Sequence, residues 1–412
     1  MKFVHAADVH LDSPLRGLER YPGAPHERMR AATRRAFENL VSLCLREKAA
    51  FLLLAGDTYD REWRDYNTGL FFASELLRLR EAGTRVVMLR GNHDAKNVIT
   101  KHLRLPEHVH ELASARPETV RIGDVAIHGQ SFPEGKVQSD LSKAYPEPEA
   151  GMLNVGMLHT SLDGREGHEP YAPCTVRGLS SKGYDYWALG HVHAREVVAQ
   201  GSPWIVYPGN LQGRHARETG GKGASLVTVE GGRIASVVHQ DLDVLRWSVL
   251  EVDIAGAESP ADVVDRLRPM FRELRAELPD HLHAVRLVVR GQGPAHGRIA
   301  VEGDAFVGEV RGAANEAGDV WVEKVRVESR GEVDMGALEE REDAAGHLLR
   351  YLRGTGDSSV AKDFATELDA FEGQLPKELR GMLRRDRLRD EVKELLALRL
   401  SLLGNGAGGD EP

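Results

Sequence analysis

Through its first 240 residues the chain alternates short, mainly apolar runs with longer stretches in which apolar residues recur every three or four positions. The short runs are KFVHA, AFLLLAGD, RVVMLRGN, VAIHGQ, LNVGMLHT and YWALGH, which have the length and composition of buried strands. The longer stretches, ERMRAATRRAFENLVSLCLRE and YNTGLFFASELLRLREAG, have the spacing of amphipathic helices. Strand, polar loop and helix in alternation predict an α/β layered core over 1–240.

Near Arg246 the pattern changes. RWSVLEVDI, SPADVVDRLRPMFRELRAEL, HAVRLVVRG and DVWVEKVRVES predict a small α+β domain over 245–330. Beyond Met335 the strands stop. Residues 335–405 have helical spacing, with Pro376 near a helix start, and 406–412 form a frayed tail. Val392, Leu395, Leu396, Leu398, Leu400 and Leu403 make a broad apolar face that either packs on the chain's own core or docks a partner.

The chain has 412 residues, is 41% hydrophobic and has a mean hydropathy of -0.37, which fits a soluble protein of two or three domains. MKFVHAADVH meets polar residues too early for a secretory signal, so a cytoplasmic location is expected. Cys44 and Cys174 are too few for a disulfide framework or a thiolate metal site; they read as buried thiols, and any metal must use nitrogen and oxygen donors. A net charge of -9 weighs against a general nucleic-acid coat. Local charge differs: Arg28, Arg30, Arg34, Arg35, Arg46 and Lys48 crowd one stretch, for which a solvated helix face is the plainer reading.

The candidate chemistry lies just after the predicted strands. In chain order it is Asp8-Val9-His10, Gly56-Asp57, Gly91-Asn92-His93-Asp94, His159, and Gly190-His191-Val192-His193. Ligands of open α/β sheets bind at the carboxyl ends of strands, so these clusters converge on one rim. Carboxylate, amide and imidazole donors suit manganese, iron or zinc. Asp8, His10, Asp57, Asn92, His159, His191 and His193 are too many for one tetrahedral site, and two metals sharing a carboxylate fit better. Any one motif alone reads as a turn or a hydrogen-bonded structural residue; their order and spacing together are specific.

In that order and spacing the chain resembles the calcineurin-like metallophosphoesterase superfamily, whose five motifs build a binuclear centre in a four-layered sandwich. The resemblance implies that Asp8, His10 and His193 bind one metal, that Asn92, His159 and His191 bind the other, and that Asp57 bridges them. It also implies that His93 faces the substrate. Two cations about 3.5–4 Å apart can acidify a water between them and clamp the attacking and leaving oxygens of a phosphodiester. A histidine beside them can protonate the leaving group, with Asp94 placed to orient it, so His93 and Asp94 are the catalytic candidates.

These motifs do not choose a substrate, because phosphatases, nucleotide phosphodiesterases and nucleases share them. MKFVHAADVHLDSPLRGL and VYPGNLQGRHARETGGKGASLVTVE resemble SbcD-type DNA repair exonucleases of the YhaO-like branch, and 245–330 resembles their DNA-facing capping domain. The resemblance implies a nuclease subunit with two divalent ions, Mn2+ by expectation, processing single- or double-stranded DNA ends with an SbcC-like coiled-coil ATPase. A homodimer is left open. Arg214, His215 and Arg217, and with them Arg61 and Arg64, are candidate phosphate contacts, plain surface charge being the alternative. Asp60 departs from the many relatives that have a catalytic histidine there, so a mechanism needing that histidine does not carry over. Two other functions stay open: a phosphatase or nucleotide phosphodiesterase acting on a small substrate, and a non-enzymatic subunit with a relic site, against which the complete ligand set speaks. His5 and His128 are expected in the core or behind the ligands, while His26, His102, His108, His110, His168 and His239 lack ligand spacing.

Overall fold

The computed structural model describes residues 1–13, 25–60, 65–96, 104–164 and 171–331, with isolated positions at 340, 342, 347 and 366. Arg61, Arg64, the helical region expected over 335–405 with its docking face, and the tail 406–412 lie outside the described residues, apart from those isolated positions.

Two units divide the chain, the first being Met1–Ser248 with Leu278–Val285. It begins β1 (Lys2–Ala6), α1 (His26–Glu47), β2 (Phe51–Ala55), α2 (Tyr66–Glu81), β3 (Arg85–Leu89) and β4 (Val109–Glu111). It continues with β5 (Glu118–Ile122), β6 (Val125–Gly129), β7 (Leu153–His159), α3 (Val176–Ser180), β8 (Tyr186–Gly190) and β9 (Glu196–Ala199). Then come β10 (Trp204–Tyr207), β11 (Gly223–Glu230) and β12 (Arg233–Asp241). One six-stranded sheet has the order β12-β11-β1-β2-β3-β4 and the other β5-β6-β7-β8-β10-β9. β1 to β4 are parallel, as are β6, β7, β8 and β10; antiparallel β12, β5 and β9 close three of the sheet edges and the parallel β4 forms the other.

The two-residue side-chain period sorts each strand between two cores. Phe3, Phe51, Leu53, Val87 and Leu89 face the space between the sheets, where they meet Val125, Ile127, Val155, Met157, Tyr186 and Ala188. Their neighbours Val4, Ala6, Leu52, Leu54, Val86 and Met88 point the other way, onto Phe37, Leu40, Val41 and Cys44 of α1 and Phe72, Leu76 and Leu79 of α2. Strands buried on both faces must be apolar throughout, which is why they read as unbroken runs. Each fully buried Leu, Val or Phe contributes roughly 1.5–3 kcal/mol, so the sandwich is a stiff mount. The far face of the second sheet is covered by α3, the 3-10 turn Leu141–Ala144 and the stacked rings of Tyr145, Tyr184 and Trp187. The result is the expected four layers, with a thin outer one.

In the basic stretch of α1, Arg34 is not simply solvated. Its guanidinium holds the Asp12 carboxylate with Nε at 2.8 Å and lies 5.1 Å over the Phe71 ring.

The second unit takes Val249–Glu277 and the described residues from Arg286 on. The chain passes between units within β13 (Leu245–Asp253) and near β14 (Leu282–Arg290), the strands flanking α4 (Pro260–Glu277). α5 (Ala295–Val301) and α6 (Gly303–Glu316) follow, then β15 (Val320–Val327), in a sheet of order β13-β14-β15. α4 buries Val263, Val264, Leu267 and Phe271, and packs against α6, which buries Phe306, Val310, Ala313 and Ala314. α5 and α6 were not expected between the last two strands. Gly297, Gly308 and Gly312 lie inside them, each costing about 1 kcal/mol relative to alanine, and burial of the apolar face overrides that propensity. Among the described residues no helix is long and apolar enough to cross a membrane.

Candidate metal centre

β1, β2, β3, β7 and β8 carry the candidate residues at their carboxyl ends. The loops there are stitched together: the Asp8 N–H donates to the Gly56 carbonyl and the His10 N–H to the Asp57 carbonyl, both at 3.0 Å. Asp8, His10, Asp12, Asp57 and His191 have φ of 51°, 46°, 52°, 53° and 100°, a left-handed region that costs non-glycine residues about 1–3 kcal/mol each. Such clustered strain marks a site that the surrounding structure over-determines. Two glycines permit the close approach of the sheets here. At Gly56, with φ 93°, a Cβ would stand 2.5 Å from His159 Nδ1, and at Gly190 it would collide with the Ala55 carbonyl oxygen.

Asp8, His10 and His193 bring one donor atom each within 4.8 Å of one another, and Asp8, Asp57 and His159 form a second such group. His10 Nε2 is 3.3 Å from His193 Nε2, and His159 Nε2 is 3.1 Å from Asn92 Oδ1 and 3.4 Å from Asp57 Oδ2. Two imidazole nitrogens facing each other at 3.3 Å require a proton or a cation between their lone pairs. His159 Nδ1 lies 2.9 Å from the Ala55 carbonyl oxygen, which can only accept, so that nitrogen carries a proton and Nε2 is turned to the donors. The set therefore fits divalent ions. Asp8 is common to both groups; Asp57, the expected bridge, also accepts the His93 N–H through Oδ1 at 2.8 Å. His191 enters neither group: its ring centroid lies 5.2 Å from that of His159, and its N–H donates to Asp8 at 2.9 Å.

Burial, reinforced by Arg214, pushes the His10 imidazole down to about 3, leaving it neutral as a metal ligand must be. Burial alone would lower His159, but Asp57 and Asp8 outweigh it and raise the ring to about 9. Burial likewise opposes the charged form of Asp57, yet His159, His93 and His10 hold its carboxyl well below the usual range. In the metal-free protein a proton thus sits on His159 where an ion would have to displace it. Because the folded value is raised, the displacement becomes easier as pH rises. We expect the apparent affinity for a divalent ion to increase about tenfold per pH unit from pH 6, levelling near pH 9, with proton release on binding visible in buffers of different ionisation enthalpy. Affinity independent of pH across that window would show that His159 is not displaced.

His93 Nδ1 lies 2.7 Å from Asp60 Oδ1, and its ring meets His10 edge-on at a centroid distance of 4.9 Å. Asp60 Oδ1 is also 3.5 Å from His10 Nδ1. Burial would raise the Asp60 carboxyl, but His10, His93 and the Ser13 hydroxyl hold it far below the usual range. So the carboxylate seen beside His93 is Asp60. Asp94, expected in that role, accepts the backbone N–H groups of Thr58, Tyr59 and Gly91 at 3.1, 2.9 and 3.1 Å, pinning the loops after β2 and β3 together. Burial and the nearby Asp57 push it up to about 7.

Of the candidate phosphate contacts, Arg214 turns inward, with Nη1 at 3.2 Å from Ser13 Oγ and 3.6 Å from Asp60 Oδ2. His215 Nε2 lies 3.5 Å from Glu218 Oε1, and Arg217 is exposed. Glu218 is the residue that sequence reasoning missed. Its Oε1 is 2.6 Å from His193 Nδ1, and the one signal for it was a carboxylate four residues beyond Arg214. His5, held between Tyr186 Oη and the Leu189 carbonyl oxygen, is a core residue as expected.

Residues 1–195 match the family model described as calcineurin-like phosphoesterase, and 247–330 match the metallophosphoesterase YhaO middle domain. The chain belongs to the calcineurin-like metallophosphoesterases, metal-dependent hydrolases of phosphoesters. Within them it is 34% identical over 347 residues to the uncharacterized metallophosphoesterase YhaO of Bacillus subtilis, covering 82% of this chain and 84% of that one. It is 27% identical over 304 residues to the DNA double-strand break repair protein Mre11 of Methanopyrus kandleri, covering 65% of this chain and 62%, under two thirds, of that relative. Among solved structures, TT1561 of Thermus thermophilus matches 58% of this chain and 98% of its own at 14% identity, with a TM-score of 0.33.

Proposed function

We propose that this chain is the metal-dependent nuclease subunit of a DNA end-processing machine, with an SbcC-like ATPase as its partner. The observation that carries the reading is the reach of the likeness to a DNA repair protein. It covers 65% of the chain, more than the 1–195 stretch that matches phosphoesterases in general. In this reading 1–240 hydrolyses the phosphodiester, 245–330 caps the DNA, and 335–405 docks the partner.

Asp8, His10 and His193 would hold one ion, Asn92, His159 and His191 the other, and Asp57 both. When bound, two ions, manganese in this reading, supply Lewis acidity to the phosphoryl group and acidify the attacking water. The chain's own residues do the rest. With Nδ1 on Asp60, His93 meets the leaving oxygen through Nε2 and gives it a proton. Asp94 acts through the backbone, keeping the loops that carry Asp57 and His93 in register.

The test is purified full-length protein with Mn2+, labelled linear single- and double-stranded DNA, and a small chromogenic phosphodiester. Manganese-dependent DNA cleavage is expected. Hydrolysis of the small diester with both DNAs left intact would replace this reading with a small-substrate phosphodiesterase.

A further inference from the structure

We propose that Glu218 and Arg214 form an internal brace that fixes His193 as a metal-binding imidazole, making Arg214 a positioning residue and not a phosphate contact. The inference rests on the proposed metal centre. It begins with the one ring nitrogen of His193 that faces away from Asp8 and His10.

That nitrogen, Nδ1, is 2.6 Å from Glu218 Oε1. A carboxylate accepts there, so Nδ1 carries the proton and Nε2 presents its lone pair to the group formed with His10 Nε2, at 3.3 Å, and Asp8 Oδ1, at 3.9 Å. Glu218 is itself fixed. Its Oε2 accepts Asn210 Nδ2 at 3.0 Å and the Arg214 N–H at 2.7 Å, and its side chain is only 7% exposed. The backbone of His193 is held as well, its carbonyl oxygen accepting from Lys222 Nζ at 3.3 Å.

Arg214 ties this carboxylate to the one on the other side of the same group. Nη2 lies 4.0 Å from Glu218 Oε1 and 3.5 Å from His193 Nδ1, while Nη1 reaches Ser13 Oγ at 3.2 Å and Asp60 Oδ2 at 3.6 Å. Asp60 in turn faces His10. One guanidinium thus spans the two carboxylates behind two imidazoles of one candidate metal site. The buried Glu218 carboxylate and the half-buried Asp60 carboxylate both lie within 4.0 Å of this guanidinium, and the planar fork of arginine supplies a fixed counter-charge in two directions at once. A side chain used in this way is poorly placed to meet phosphate, whereas Arg217 is exposed.

The experiment is calorimetric Mn2+ titration of the full-length wild type and its Glu218→Gln, Glu218→Ala and Arg214→Gln variants, with the salt dependence of DNA binding measured on the last. Glu218→Ala and Arg214→Gln are expected to weaken one of two manganese sites about 10- to 100-fold and leave the other unchanged. Glu218→Gln keeps an oxygen that can accept the Nδ1 proton and a nearly identical shape, so it should fold like the wild type and lose less than Glu218→Ala. The slope of log affinity against log salt should be unaltered in Arg214→Gln, whereas loss of a phosphate contact would reduce it by about 0.9. Unchanged manganese affinity in Glu218→Ala, equal loss at both sites, or a reduced salt slope would overturn the brace while leaving the metal centre standing. A wild type that takes up no manganese would remove both.

Discussion

Asp57→Ala is expected to lower phosphodiester hydrolysis about 10³-fold or more, since loss of several kcal/mol of transition-state stabilisation costs a factor of about ten per 1.36 kcal/mol. Two effects act together and a third opposes them. The carboxylate belongs to the donor group with Asp8 and His159, and as the proposed bridge it would be missing from both ions. Its Oδ1 accepts the His93 N–H at 2.8 Å, so the loop carrying the proposed proton donor loses its anchor. Finally, Asp57 is the largest influence keeping His159 charged against burial, so without it the ring's affinity for a proton falls. The last effect favours a neutral ligand and cannot compensate for a missing one. Elemental analysis should find less metal, hydrolysis of the chromogenic diester should vanish into background, and a melting curve should show that the chain still folds. A variant retaining both rate and metal content would show that Asp57 is no bridge.

What could be read from the sequence follows from where each residue sits. β1, β2, β3, β6, β7 and β8 lie inside sheets and are buried on both faces, so their apolar runs were visible. β5 shows no inward and outward alternation, its residues being mostly half-buried, and an edge strand of that kind resembles a loop in sequence. The hairpin of β11 and β12 was legible in principle. Gly231 and Gly232, with φ of 56° and 76°, form the two-residue turn that needs positive φ at both positions.

The candidate ligands were legible because each lies within a few residues of a strand end, where spacing carries information. Asp60 was visible only as a departure from other sequences; its contact with His93 depends on two loops meeting. Glu218 approaches His193 across 25 residues, and Ser13 approaches Asp60 across 47, through loops without periodicity. Arg214 shows the limit most directly. A sequence reveals an arginine after a glycine turn near the metals, but Asp60 from another loop, together with Glu218 four residues on, decides that it points inward.

The second large effect concerns proton transfer. His93→Ala is expected to keep its metals and its DNA affinity while cleaving DNA about 10²- to 10⁴-fold more slowly, the usual range for a lost general acid. His93 shares a donor group with His10 and Asp60 but not with Asp8 or Asp57, and there the Asp60 carboxylate lies between the two Nδ1 atoms, 2.7 Å from that of His93 and 3.5 Å from that of His10. Its ring is a quarter exposed, at 25%, whereas those of His10 and His159 are fully buried, as suits a side chain that must meet substrate. The leaving group separates this role from others. A DNA alkoxide needs a proton to depart and a nitrophenolate does not, so the deficit of His93→Ala should shrink several-fold or more on a nitrophenyl diester. Should the loss be equal on both substrates, His93 acts in binding or in attack; should metal content fall, it is a ligand.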